Sequence, residues 1–170
     1  MRLLIVNISN SSREQVQKAV SQLTACATEW KMIDATQLRI APCQGCYHCM
    51  LVTPGECCIQ DDAAELIKGV IWADNVVLIV DTALKYVDYK GKCTLERVFP
   101  LVNITVRFRD GEVLHTTRYD LSPGIAVVYT GEADCELLEQ WLLRFGKNCN
   151  FRPLGVTSLL NAEEVCKWML

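Results

Sequence analysis

Val76-Val77-Leu78-Ile79-Val80 is the stretch on which the fold turns. A short, continuous apolar run of this kind suits a strand buried on both faces rather than one with a wet side. Before it, Asp61-Asp62 open a helix where negative charge suits the N-terminal dipole. Leu66, Ile67, Val70 and Ile71 form that helix's inner face. After the run come a polar loop, Asp81 to Lys92, and a short helix near Leu95 to Leu101. Ile104 to Phe108 and Glu112 to Thr117 flank Arg109-Asp110-Gly111, whose Asp-Gly pair predicts a hairpin insertion. Ile125 to Tyr129 repeats the buried-strand pattern. Leu137, Leu138, Trp141, Leu142 and Phe145 then make a helical stripe closed by Gly146. Leu154 to Leu160 is the last strand, and Asn161 with Glu164 caps a final helix ending at Leu170.

The same alternation holds toward the N-terminus. Leu3-Leu4-Ile5-Val6 is a buried strand, and Val16, Ala19, Val20 and Leu23 recur at helical spacing. Ser12, three residues before Gln15, is placed for a capping box. Trp30 to Ile33 is a weaker strand. A strand–helix unit repeated in this way predicts an α/β protein, a doubly wound parallel sheet with helices on both faces, in one domain over residues 1–170.

Composition narrows the function. The 170 residues carry 17 Lys+Arg against 20 Asp+Glu, a formal net charge of -3. That balance argues against a nucleic-acid groove or a membrane-adhesive face, which need clustered cations. No apolar run approaches the ~20 residues of a membrane span. Met1 to Ile8 reads as a strand and not as a signal peptide. Ten cysteines in a chain with its own core and no export signal point to reduced thiols in the cytoplasm. Cys26, Cys93, Cys135, Cys149 and Cys166 read as small fillers.

Open parallel sheets bind ligands beyond the carboxyl ends of their strands, where the strand order reverses. Three loops fall there. Ser9, Asn10, Ser11, Ser12 and Arg13 bring hydroxyls, backbone N–H groups and a cation to a helix start, which suits either a phosphate seat or plain capping. Thr82, Ala83, Leu84, Lys85 and Tyr86 form the second loop, and Thr130, Gly131 and Glu132 the third; they are placed to grip a flat ring, and Tyr86 or Tyr89 either stacks on it or is an ordinary surface residue of a polar loop. Neither GxGxxG nor GxxxxGK[ST] occurs. The strongest local motif is Pro42-Cys43-Gln44-Gly45-Cys46-Tyr47-His48-Cys49, followed by Pro54-Gly55-Glu56-Cys57-Cys58. Cys43, Cys46 and Cys49, with Cys57 or Cys58 as a fourth, resemble the spacing for a [4Fe–4S] cluster; zinc completed by His48 or a thiol, a redox dithiol and simple thiol packing remain alternatives.

Pro-Cys-x-Gly-Cys-x-x-Cys, then Pro-Gly-x-Cys and Asp61-Asp62, then an apolar strand after Ala73-Asp74, resembles the NAD(P)H-dependent FMN reductase and iron-sulfur flavoprotein family. Lys92 to Arg97, Arg109 to Glu112, His115, Arg118-Tyr119 and Asn148 to Asn150 add to the resemblance, which spans most of the chain. It implies a flavodoxin-like five-stranded sheet in the order 2-1-3-4-5 and FMN held by the three loops. It also implies a nicotinamide dinucleotide as reductant and a homodimer or tetramer. The chain departs from the family at Ile8-Ser9-Asn10-Ser11, where Gly-Ser-Pro-Arg is usual, and at Asp81, which adds negative charge beside the second loop. The function expected is an FMN-dependent oxidoreductase passing electrons to a small molecule or redox protein. An electron carrier, or a relative that has lost FMN and acts through an interface, are the alternatives.

Overall fold

A computed structural model describes residues 1–169; the expected helix end at Leu170 lies outside them. Its central sheet has the order β2-β1-β3-β7-β8, formed by β1 (Arg2–Asn7), β2 (Glu29–Asp34), β3 (Asn75–Ala83), β7 (Gly124–Thr130) and β8 (Arg152–Ser158). All four pairings among these strands are parallel. This is the predicted 2-1-3-4-5 order. A short β4 (Tyr86–Val87) returns antiparallel along β3, β5 (Val102–Arg109) with β6 (Glu112–Thr117) form the separate hairpin, and a one-turn helix α2 (His48–Leu51) lies between β2 and β3 in the chain.

The apolar runs explain why the sheet is covered twice. Leu4 and Val6 of β1, Val76, Leu78 and Val80 of β3, and Ile125 and Val127 of β7 point to one face. There they meet Leu66, Ile67 and Val70 of α3 (Ala63–Trp72) and Leu138 and Leu142 of α5 (Cys135–Cys149). The alternate residues Leu3, Ile5, Val77, Ile79, Ala126 and Val128 meet Val16, Ala19 and Leu23 of α1 (Arg13–Thr24) and Val165 of α6 (Glu164–Met169) on the other face. Period-two alternation with both sets apolar is what a continuous run provides. Each fully buried Leu, Ile or Val contributes about 1.5–3 kcal/mol relative to exposure.

Several local expectations hold. Ser12 and Gln15 cap α1 reciprocally. Asp110 and Gly111 both take positive φ, 53° and 80°, as the two-residue hairpin turn requires. Others change. The segment between Asp81 and Lys92 is not an open polar loop, since β4 folds back at once. The following helix, α4 (Tyr89–Glu96), starts before its apolar residues because Asp88 caps it, accepting from the Gly91 N–H at 2.8 Å. Gly146 does not end α5, which runs on to Cys149 and a left-handed Asn150. Its missing side chain instead admits the Phe151 carbonyl and Pro153, each within 2.9 Å of where a Cβ would sit.

Two of the cysteines expected as reduced fillers are instead bonded to each other. Cys26, just past α1, and Cys166 in α6 form a disulfide with Cα atoms 5.8 Å apart, across a sequence separation of 140. The other eight cysteines are free. No helix among the described residues is long and apolar enough to cross a membrane.

Candidate functional site

All three predicted loops sit on the carboxyl edge, around the junction of β1 and β3. Beyond Asn7 the chain keeps to the edge of β3, with the Ile8 N–H donating to the Ile79 carbonyl at 2.8 Å. That places Ser9, only 1% exposed, beside the end of β3. On the third loop, Thr130 pairs in register with Asp81.

The centre of this arrangement is Asp81. Its Oδ1 accepts from the Ser9 hydroxyl at 2.5 Å and from the Thr130 hydroxyl at 2.6 Å. Its Oδ2 accepts from the Asn10 backbone N–H at 2.8 Å and the Asn10 side-chain amide at 3.1 Å. The Ser11 N–H turns inward to the Ser9 oxygen at 3.0 Å, and Ser12 is spent on Gln15. Burial opposes the Asp81 charge, but the hydrogen bonds from Ser9, Thr130 and Asn10 outweigh it and hold the carboxyl below the usual range. Asp81 is therefore ionised at neutral pH.

The second and third loops are tied together. Leu84 and Lys85 make the two-residue turn between β3 and β4, with φ of 52° and 65°. The Thr82 hydroxyl donates to the Thr130 carbonyl at 2.6 Å, and the Asp134 N–H donates to the Lys85 carbonyl at 3.0 Å. Lys85 and Glu132 pair across the surface at 3.0 Å. Gly131 takes a φ of 86°, and a side chain there would meet the Thr82 hydroxyl. Ala83 pairs with Tyr86, whose ring packs edge-on against Trp141 at 6.1 Å rather than facing the loops. Tyr89 is exposed. Arg13 is exposed at the start of α1, and Lys90 reaches Asn10 at 3.3 Å.

The fit of a resident FMN can be tested on these donors. A nucleotide phosphate needs hydroxyls and N–H groups at this turn, and a carboxylate of the chain itself already holds them. The residues do not fit a phosphate dianion. The charge of Asp81 is readable in the sequence; that it turns into the loop, a contact spanning 72 positions, is not.

The cysteine motif leaves the carboxyl end of β2. Cys43, Cys46, Cys49 and Cys57 line one small apolar pocket of about 70 Å³ closed by Phe99. Cys46 and Cys58 lie 3.7 Å apart, sulfur to sulfur. Among the described residues, however, no three His, Cys, Asp or Glu side chains converge as metal ligands. The four thiols share a wall without forming the tetrahedral set that zinc or a cluster corner needs. The His48 backbone N–H, and then the Cys58 thiol, stabilise the Cys46 thiolate and lower its pKa. Burial pushes the Cys149 thiol up to about 12. Iodoacetamide at neutral pH is therefore expected to alkylate Cys46 well before Cys149, as read by peptide mass mapping. Equal rates would remove the assigned activation.

The motif of Lys92 to Arg97 does not reveal the partner of its last residue. Arg97 is 2% exposed and grips Asp61 with both nitrogens, at 2.6 and 2.8 Å. It also donates to the Ala41 carbonyl at 2.7 Å, while the Ala41 N–H donates to Asp61 at 2.9 Å. Ala41 and Asp61 bracket the cysteine motif, so this cluster clamps both of its ends. Burial works against the Asp61 charge, but Arg97 and the Ala41 and Ala63 N–H groups prevail and lower its pKa. Arg118 adds a third tie, donating to the Pro100 carbonyl at 3.1 Å and to the Cys49 carbonyl at 3.5 Å.

No protein-family model matches the chain, and no curated protein matches its sequence. Solved structures do. RosB, with its bound intermediate 8-demethyl-8-formylriboflavin-5'-phosphate, superposes with a TM-score of 0.66 at 12% identity, covering 99% of this chain and 75% of RosB. NAD(P)H:quinone oxidoreductase from Methanothermobacter marburgensis gives 0.64 at 15% identity over 98% of this chain and 96% of that one. An azoreductase from Bacillus anthracis gives 0.59 at 12% identity, over 99% and 94%. The fold is flavodoxin-like. In flavodoxin-like terms, β1, β3 and β7 carry the three loops at the ligand edge, and the cysteine motif follows the outer strand β2.

Proposed function

We propose that this chain is an oxidoreductase acting on a flavin at its carboxyl edge, with NADH or NADPH as electron source. The observation that carries this is the convergence of Ser9–Arg13, Thr82–Lys85 and Thr130–Glu132 where β1 and β3 meet, the place where open parallel sheets take ligands. The neighbours named as quinone oxidoreductase and azoreductase support the same class. A bound flavin would supply the redox chemistry; the chain's part is to position it and exclude water. Because the donors at Ser9 and Asn10 do not suit a phosphate, the flavin in this reading is bound without that clamp and exchanges. The test is an anaerobic titration with riboflavin and with FMN, followed by flavin fluorescence and then by loss of NAD(P)H absorbance. Saturable quenching and flavin-dependent NAD(P)H oxidation are expected. If neither flavin is quenched at its solubility limit, the reading fails.

A second reading rests on the cysteine pocket, which places four thiols on one wall. Rearranged, they would serve an iron–sulfur cluster or zinc as an added redox or structural centre. Metal analysis and an anaerobic absorption spectrum of protein purified without chelators decide it. Self-association belongs to the same proposal, since Ile104, Val106, Phe108 and Val113 leave an apolar stripe exposed on the hairpin. A monomer by light scattering would refute it.

A further inference from the structure

We infer that Asp81 is a built-in anion that closes the phosphate seat, so that this edge favours a flavin with an uncharged tail over its phosphate ester. The selectivity half rests on the flavin reading above; the closure half does not. Four hydrogen bonds converge on the Asp81 carboxylate from the turn that would otherwise wrap a phosphate: two hydroxyls, one backbone N–H and one amide. Their chemistry suits an anion. The anion is supplied by β3, the strand adjacent to the turn, and both its oxygens are used.

The charges facing this position make the closure specific. Lys90 donates to the Asn10 side-chain oxygen at 3.3 Å, and among the described residues no cation pairs with Asp81 itself. A phosphate brought to Ser9 and Asn10 would therefore displace an ionised carboxylate from its donors and then remain beside it. Two like charges at hydrogen-bond range repel strongly in a partly buried site. A ribityl hydroxyl escapes the charge penalty because it is neutral, and it can lie beside the loop without displacing the four donors that Asp81 holds. Asp81 would then leave the neutral tail of riboflavin unopposed, while excluding the dianion of FMN.

The experiment has two arms. In the first, thermal unfolding of the wild-type chain and Asp81→Ser is followed against inorganic phosphate. Phosphate should leave wild type unmoved and raise the melting temperature of Asp81→Ser, whose seat has lost its anion but kept its donors. A phosphate response in wild type, or none in the variant, overturns the closure. In the second arm, riboflavin and FMN are titrated into the wild-type chain. Riboflavin should bind roughly tenfold tighter or more, the scale of one uncompensated charge contact. FMN binding as tightly as riboflavin overturns the selectivity. Should Asp81→Ser fail to fold, Asp81→Asn keeps the shape and removes the charge; it should narrow the gap between the flavins, and an unchanged gap counts against the inference. If Asp81→Ser gains phosphate but neither protein takes a flavin, closure stands and the flavin reading is what falls.

Discussion

Replacing Arg97 with alanine is expected to cost about 3–5 kcal/mol of folding stability at neutral pH, a large part of the roughly 5–15 kcal/mol that holds a domain together. The magnitude follows from what is left behind. Asp61 is 9% exposed at its side chain, and without the guanidinium its charge is buried with only the Ala41 and Ala63 N–H groups to hold it. The Ala41 carbonyl loses its donor as well. Breaking one member of a buried pair is costly because the survivor stays desolvated. A double variant, Asp61→Asn with Arg97→Met, should therefore be milder than Arg97→Ala alone.

The pH dependence of this pair has a definite sign. In the wild-type chain the Asp61 pKa is depressed in the folded state, from an ordinary value of 3.8. Its contribution is thus fully present above that value and is lost as pH falls through the folded pKa. In Arg97→Ala the burial that opposes the charge is no longer outweighed, the pKa rises, and protonation relieves the strain. The stability gap between the two proteins, measured by urea unfolding, should be widest near neutrality and shrink on acidification. A gap that stays constant down to the acid-unfolding region would mean that Arg97 acts through packing alone. Loosening the clamp should also speed alkylation of the pocket thiols, since the ends of their loop then keep only the backbone bonds of Arg39, Ala41 and Asp62.

The sheet was legible because its strands repeat one simple signal. Leu3 to Val6, Val76 to Val80 and Ile125 to Val128 are apolar on both alternating faces, and only a doubly covered parallel sheet buries both. Ser12 with Gln15, and Asp110-Gly111, were equally readable, because caps and primed turns are local chemistry with fixed spacing. The turn at Leu84-Lys85 carries no such mark: neither residue favours positive φ, and the pairing of β3 with β4 imposes it. Gly146 misled for a related reason, since glycine signals both helix ends and close approach, and here it serves the second. The candidate site was legible as a place and not as a set of contacts. Which loops meet follows from topology. That Asp81 turns into the Ser9–Asn10 loop, and that Arg97 finds Asp61, depend on side chains 72 and 36 residues apart, which no periodicity encodes.

The longest of these unseen links also gives the second large effect. Removing the Cys26–Cys166 disulfide, by reductant or by Cys166→Ser, is expected to cost about 2–5 kcal/mol. The bond closes a loop across a sequence separation of 140, nearly the whole chain. In the chain-entropy account a closure of this length restricts the unfolded ensemble by about 5 kcal/mol, which is the upper bound here. The native side of the link is already packed: Val165 and Ala162 are buried against Leu23 and Ala19, and Gln22 bonds Glu163 at 2.8 Å. The fold should therefore survive reduction with its sheet intact, and the loss should arise mainly in the unfolded state. Two readings of one urea experiment separate that from a lost native contact. If the unfolded chain is what changes, the midpoint falls and the slope m rises, because the open chain exposes more surface than the closed one. If m is unchanged while the midpoint falls, the bond acts locally by pinning α6 to α1. If neither moves, and non-reducing peptide maps show both thiols free, the pair is not bonded in solution and this prediction is wrong.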